Sequence, residues 1–112
     1  MTIIGSGMVT SGDGCCGTLR RVDSVADVLR LMQSDLADVI LLTRAASATV
    51  VTPLFPRIRG VICTTGGSTS HLAIVAREFN LACVMATRID YPDELDGRNV
   101  RFAADGAIYL DE

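Results

Sequence analysis

The chain has 112 residues, 49% hydrophobic and 21% charged, with a formal net charge of −3. That size and apolar content suit one globular domain, 1–112, on a single core, and the acidic balance argues against an electrostatic grip on nucleic acid or an anionic membrane. All ten basic side chains are arginine and His71 is the lone histidine, which excludes Schiff-base chemistry, a lysine-dependent phosphate loop and a multi-histidine metal site.

Gly5, Gly7, Gly12, Gly14 and Gly17 interrupt the first seventeen residues, a pattern expected of short strands joined by tight turns. Their spacing matches no dinucleotide fingerprint, and Asp13 stands where a phosphate loop would need lysine. Ser24 can cap a helix with Asp27 at its third position, and Val25, Val28, Leu29 and Met32 then share one core-facing side. The unbroken run Val39, Ile40, Leu41, Leu42 predicts a strand buried on both faces. Pro53 and Pro56 permit no more than a brief helical turn around Leu54 and Phe55, and Gly60, Val61, Ile62 and Cys63 supply another buried strand.

Gly66 and Gly67 precede three helix-capping residue types, Ser68, Thr69 and Ser70. Leu72, Val75, Ala76 and Phe79 then fall on one helical face, which Asn80 can end in the left-handed conformation. Residues 82–85 read as a returning strand and 92–97 as a turn. Val100 and Phe102 alternate in a strand that Asp105 and Gly106 turn back through Ile108 and Leu110. The expected organisation is one α/β domain with a β-rich start, a layered sheet containing a central parallel β-α-β, and a C-terminal β-hairpin.

Cys15, Cys16, Cys63 and Cys83 fit no zinc-ligand spacing, and the adjacent pair bridges only with strain, so all four are expected to be reduced, small apolar residues. No apolar run approaches the roughly 20 residues needed to cross a bilayer, and no basic leader precedes an apolar segment. A cytoplasmic location without a membrane partner is the expectation.

The segment around His71 carries the chemistry. A strand, a glycine pair, a hydroxyl-rich turn and a helix place the imidazole in the first helical turn, where backbone N–H groups lack intrahelical partners and the helix dipole favours an anion over an imidazolium. A neutral imidazole there can attack phosphorus near pH 7. Gly66 and Gly67 let the backbone approach a phosphate closely, and Ser68, Thr69 and Ser70 offer hydroxyl donors. The same residues also fit a bland reading: a tight turn, a capping hydroxyl and a boundary histidine.

The segment 60–78, GVICTTGGSTSHLAIVARE, resembles the phosphohistidine signature of the PEP-utilising enzyme mobile domain. This swivelling β/β/α phosphohistidine domain occurs in PEP synthase, pyruvate phosphate dikinase and enzyme I of the sugar phosphotransferase system. The resemblance runs on through 80–85 and 95–97 to the closing hairpin, and weakly back to the glycine-rich start. It implies that His71 is phosphorylated, that Gly66 and Gly67 shape its loop, and that Thr69 and Ser70 fill the hydroxyl positions before it. Three residues depart from the pattern. Ala82 stands where relatives often have proline, Ala86 where they often have glycine, and Thr64 where many carry Asp or Asn. The first two are expected to alter a loop beside the site.

One carrier domain leaves no room for a nucleotide site, magnesium ligands and a positioned acceptor. The resemblance therefore implies an ATP-grasp partner chain or domain that binds ATP and Mg²⁺, with no cofactor or metal on this chain. The leading reading is a phosphohistidine subunit of an ATP-dependent dikinase-type phosphotransferase with a small-molecule hydroxyl acceptor. By analogy with phenylphosphate and 4-methylbenzyl phosphate synthases of aromatic degradation, that acceptor is a phenolic compound. A PEP synthase-like carrier acting on pyruvate, a carrier charged by PEP, and a non-catalytic module docking on an ATP-grasp chain are the alternatives. Arg77, six residues beyond His71, is read as pointing to another side of the helix, and Arg57 and Arg59 as solvated charges without a catalytic role.

Overall fold

Val39, Ile40, Leu41 and Leu42 lie in β3 (Val39–Thr43), a strand buried along its whole length. The computed structural model describes residues 2–22, 24–44, 51–67, 70–89 and 95–111. Ile40 and Leu42 point into one apolar cluster and Val39 and Leu41 into another, so successive residues serve two cores. β4 (Gly60–Cys63) is buried in the same way and pairs parallel to β3, with Ile40 opposite Gly60 and Thr43 opposite Cys63.

The flanking strands close the sheet on itself. β1 (Thr2–Ser11) and β2 (Gly14–Val22) follow one another in sequence across a turn containing Gly12, whose φ is +76°. Each takes different neighbours. β1 pairs antiparallel with β5 (Ala82–Ile89) and with β7 (Ala107–Leu110), whereas β2 pairs parallel with β3 and antiparallel with β6 (Asn99–Ala103). The result is a closed seven-strand barrel in the order β1-β5-β4-β3-β2-β6-β7. This corrects the expected layered sheet: β1 carries register shifts against both partners, and such bulges bend a strand enough for it to join two sides. β4 and β5 pair parallel around α2 (His71–Glu78), and β6 and β7 pair antiparallel. The β6–β7 connection is the three residues Ala104, Asp105 and Gly106, one longer than the two-residue turn read from Asp105 and Gly106.

The barrel interior is filled by Ile4, Leu19, Ile40, Leu42, Ile62, Val84, Val100, Phe102 and Ile108 among others. The second cluster lies where α1 (Val25–Leu31), the 3-10 turn Thr52–Arg57 and α2 cover the parallel strands, with Leu41, Val61, Phe55, Leu72 and Ala76 at its heart. Ser24 caps α1 by accepting from the Asp27 amide. The buried face of α1 is Val28 and Leu31; Val25, Leu29 and Met32 are exposed. With seven residues, the rotation of α1 is set by its neighbours: Val28 and Leu31 pack in one cluster with Val22 before the helix and Leu36 after it, and this overrides the apolar periodicity.

Asn80 ends α2 at φ +54°, with the Leu81 amide bonded to the Ala76 carbonyl and the Asn80 amide to that of Arg77, a Schellman closure. All four cysteines are free. Cys63 and Cys83 are buried, but Cys16 is exposed, so the apolar reading does not extend to it. Burial pushes the Cys83 thiol up to about 11 and the Cys15 thiol up to about 12, which keeps both protonated and unreactive at neutral pH.

Ala82 and Ala86 both lie within β5 rather than in a loop. Met8 pairs with Met85 and Ser6 with Arg88, so Ala86 and Thr87 together oppose Gly7 in a bulge, and Ala86 takes φ +52°. A left-handed conformation costs a non-glycine residue roughly 1–2 kcal/mol, offset in part by glycine's greater unfolded-state entropy. Ala86→Gly is therefore expected to stabilise the domain by about 0.5–1 kcal/mol, because the Ala86 methyl is exposed and contributes little packing. A urea denaturation midpoint that fails to rise would contradict this.

Candidate functional site

The parallel strands β3 and β4 end side by side, and their ladder continues one step into the loop before α2, where the Thr64 amide donates to the Thr43 carbonyl at 3.1 Å. The Thr65 hydroxyl donates to the Arg44 carbonyl at 2.7 Å, which fixes the loop to the segment leaving β3. Gly66 follows at φ +82°, a conformation that reverses the chain and suits glycine.

Gly67 and Ser70 close the next turn on themselves. The Gly67 amide donates to Ser70 Oγ at 2.7 Å, and the Ser70 amide donates to the Gly67 carbonyl at 3.0 Å. Ser70 is the N-cap of α2, yet its side chain is turned back to Gly67 and does not cap the helix. This refines the reading of Ser70 as a donor: its oxygen accepts from Gly67, and its hydroxyl hydrogen is left to point elsewhere. Ser68 and Thr69 lie outside the described residues.

His71 is the first residue of α2 and is exposed, while Leu72 and Ala73 beside it are buried against the parallel strands. The first backbone bond of the helix runs from the Ile74 amide to the Ser70 carbonyl at 3.0 Å. The amides of residues 71–73 thus precede the i→i−4 ladder, and no side chain among the described residues caps them. The arrangement is an accessible imidazole on the positive end of a short helix, beside a glycine turn. Nothing among the described residues groups three His, Cys, Asp or Glu side chains as a metal site would.

Gly67 differs from Gly66. Among the described residues, a β-carbon on Gly67 would meet only the terminal methyl of Met8, at 3.7 Å, and its φ is not positive. The described residues thus leave room for a side chain there. Gly67→Ala is expected to change stability by less than about 0.5 kcal/mol, whereas Gly66→Ala costs about 1–2 kcal/mol from its backbone alone. Thermal denaturation of the two variants checks the contrast, and equal losses would contradict it.

Three arginines have structural tasks that local sequence did not reveal. Arg77 donates from Nε to the Thr10 carbonyl at 3.1 Å, tying α2 to β1 and keeping this guanidinium away from His71's face. Arg57 donates to the carbonyls of Met32 and Ser34 at 2.8 and 2.9 Å, beyond the end of α1. Arg59 donates to the carbonyls of Ala37 and Cys16 and pairs with Asp38 at 2.8 Å. Both are therefore clips between segments rather than merely solvated charges. Met8, brought to the rim of the loop by β1, was likewise invisible in sequence, because its proximity to Gly67 spans 59 positions.

A small α/β barrel with an exposed histidine leading a helix after a glycine turn is the architecture of a phosphohistidine-carrier-type domain. The family PEP-utilising enzyme, mobile domain, matches residues 36–100, more than half of the sequence, and the chain belongs to that family. Among curated proteins, the chain is 31% identical over 84 residues to chondramide synthase cmdD of Chondromyces crocatus, covering 75% of this chain and 2% of that protein. It is 31% identical over 74 residues to rifampicin phosphotransferase of Bacillus subtilis (strain 168), covering 66% of this chain and 8% of that protein. The chain thus spans a small part of the curated relatives it matches.

Solved structures share the fold. A solution NMR structure of a UPF0107 protein superposes with TM-score 0.65 at 12% identity, over 97% of this chain and 100% of that one. Aconitase X of Thermococcus kodakaraensis gives 0.64 at 18% identity, over 96% and 98%. The N-terminal domain of Enzyme 1-Nitrogen gives 0.54 at 24% identity, over 70% of this chain and 32% of that one. No helix among the described residues is long and apolar enough to cross a membrane.

Proposed function

We propose that this chain is the phosphohistidine carrier of an ATP-dependent dikinase-type phosphotransferase. His71 takes a phosphoryl group from ATP held with Mg²⁺ on an ATP-grasp chain or domain and passes it to a hydroxyl of a small molecule. The observation that carries the reading is the exposed His71 on the first turn of α2, the lone histidine of a chain without lysine.

In the charging step an unprotonated imidazole nitrogen forms a bond to phosphorus as the P–O bond to the donor breaks, the electron pair leaving on the donor oxygen. The first amides of α2 and the turn at Gly66, Gly67, Ser68, Thr69 and Ser70 receive the phosphoryl oxygens. In the discharging step the acceptor hydroxyl oxygen forms a bond to phosphorus as its proton passes to solvent or to a base at the acceptor site, the P–N bond breaks, and its electron pair returns to the imidazole. Swivelling of the domain between two sites fits the barrel, which carries the histidine on a surface helix rather than in a cleft. The rifampicin phosphotransferase relative favours an acceptor other than pyruvate. A phenolic compound is the acceptor proposed, and a PEP synthase-like role on pyruvate is the second reading.

The test is incubation of the chain with its ATP-grasp partner, Mg²⁺ and labelled ATP. An acid-labile, base-stable phosphate on the chain is expected, discharged by phenolic acceptors in preference to pyruvate. An active partner that leaves the wild-type chain unlabelled would overturn the reading.

A further inference from the structure

The large apolar side chains left exposed among the described residues lie in distinct places. Val25, Leu29 and Met32 belong to α1 and its end, Ile3 starts β1, and Phe79 closes α2 with its ring edge-on to Phe55 at 5.9 Å. Met8 and Ile74, 45% and 42% exposed, lie at the histidine turn.

Val9 packs toward the barrel interior, so its neighbour Met8 faces outward. The Met8 terminal methyl reaches the turn before α2, 3.7 Å from where a β-carbon on Gly67 would stand. Gly67 is in turn bonded twice to Ser70, the residue before His71. Two residues further along β1, the Thr10 carbonyl accepts from Arg77, so β1 runs beside α2. Ile74 lies between these points, three residues after His71 and three before Arg77, positions that neighbour one another on a helix surface. A helical side chain leans toward the N-terminus, which carries Ile74 over the turn that begins at His71. The histidine therefore has an exposed thioether on its loop side and an exposed aliphatic chain on its helix side.

The size of this apolar surface selects its occupant. Two side chains somewhat under half exposed offer on the order of 150 Å², comparable with what one aromatic ring buries and far below the roughly 800 Å² per partner of a stable protein interface. A methionine sulfur also makes favourable contacts with the edge of an aromatic ring. Before transfer the acceptor oxygen comes within about 3–3.5 Å of phosphorus, and in a phenol that oxygen is bonded directly to the ring. Resting on the carrier reading above, we propose that Met8 and Ile74 form this chain's side of a slot for the aromatic ring of the acceptor.

The test follows discharge alone. The chain is charged by its ATP-grasp partner with Mg²⁺ and labelled ATP, the nucleotide is removed, and loss of label is followed against phenol concentration. Met8→Ala and Ile74→Ala are each expected to raise the phenol concentration for half-maximal discharge on the order of fivefold, while the rate at saturating phenol stays within about twofold of wild type. Met8→Leu should restore most of the Met8 loss. Leu29→Ala removes a comparably exposed apolar side chain from α1 and should behave as wild type. Half-maximal concentrations unchanged in both variants overturn the assignment, as does an equal loss from Leu29→Ala. A slower rate at saturation with the half-maximal concentration unchanged also overturns it, by marking the pair as a contact for a partner protein. A charged wild-type chain that phenol does not discharge overturns the slot while leaving His71 a carrier. An active partner that leaves the wild-type chain unlabelled overturns the carrier reading itself, and this assignment with it.

Discussion

His71→Ala should abolish phosphorylation of the chain altogether while changing its stability by less than about 0.5 kcal/mol. The two halves of that expectation come from one structural fact. The imidazole is exposed on the first turn of α2, and the buried contacts of that turn are made by Leu72 and Ala73. Removing the ring therefore takes no packing from either core, and alanine is the best helix former for the vacated position. The chemistry has no substitute: a chain with one histidine and no lysine offers no second nitrogen nucleophile near the loop. The decisive measurement is acid-labile phosphate per chain, read beside a thermal melt. Label retained by a folded His71→Ala would move the phosphoryl acceptor elsewhere. Lost label with a lowered melting temperature would show that the histidine is a structural boundary residue.

The largest effect on stability is expected at the opposite kind of position. Gly106 sits in the β6–β7 turn at φ +89°, and a β-carbon there would overlap the Gly7 carbonyl oxygen. Gly7 in turn donates its amide to the Gly106 carbonyl at 3.0 Å, so the two glycines touch where β1 meets the hairpin. Gly106→Ala adds a left-handed backbone penalty of about 1–2 kcal/mol to the loss of a hydrogen bond worth about 0.5–1.5 kcal/mol and to the displacement of β1. A destabilisation of about 2–4 kcal/mol follows, or a fall in Tm on the order of 10–20 °C for a domain of this size. Gly97→Ala separates the contributions, because Gly97 has φ +84° but a β-carbon added to it would meet none of the described residues within 4 Å. It should lose only the backbone part. Equal losses at the two positions would refute the steric argument. Met8 follows Gly7 in β1 and lies against Gly67, so displacement at Gly106 is also expected to slow labelling of His71.

What was legible in the sequence was local. Ser24 three residues before Asp27, the unbroken apolar run of β3 and Asn80 after an apolar helical face each signal their structure within one or two turns of chain. The strand-glycine-hydroxyl-histidine order of the site was legible for the same reason. Ring closure was not. It depends on β1 meeting β5 and β7, with Ile3 opposite Tyr109 and Val9 opposite Val84, and no local pattern specifies contacts at such separations. The tasks of Arg57 and Arg59 stayed hidden likewise, since their carbonyl partners lie 22–43 residues away. The outward face of α1 departs from its apolar periodicity because a seven-residue helix has too few turns for that pattern to outvote its neighbours.

On the carrier reading proposed above, in which the domain would part from one surface to reach another, the closed ring of strands has a consequence. An open sheet exposes a row of unpaired amides and carbonyls whenever a covering neighbour withdraws, and such a row invites pairing with any strand it meets. In this barrel each strand has a bonded neighbour on both sides, so withdrawal from a partner bares side chains but no ladder. A carrier built this way would leave one partner and meet the next without becoming adhesive in transit.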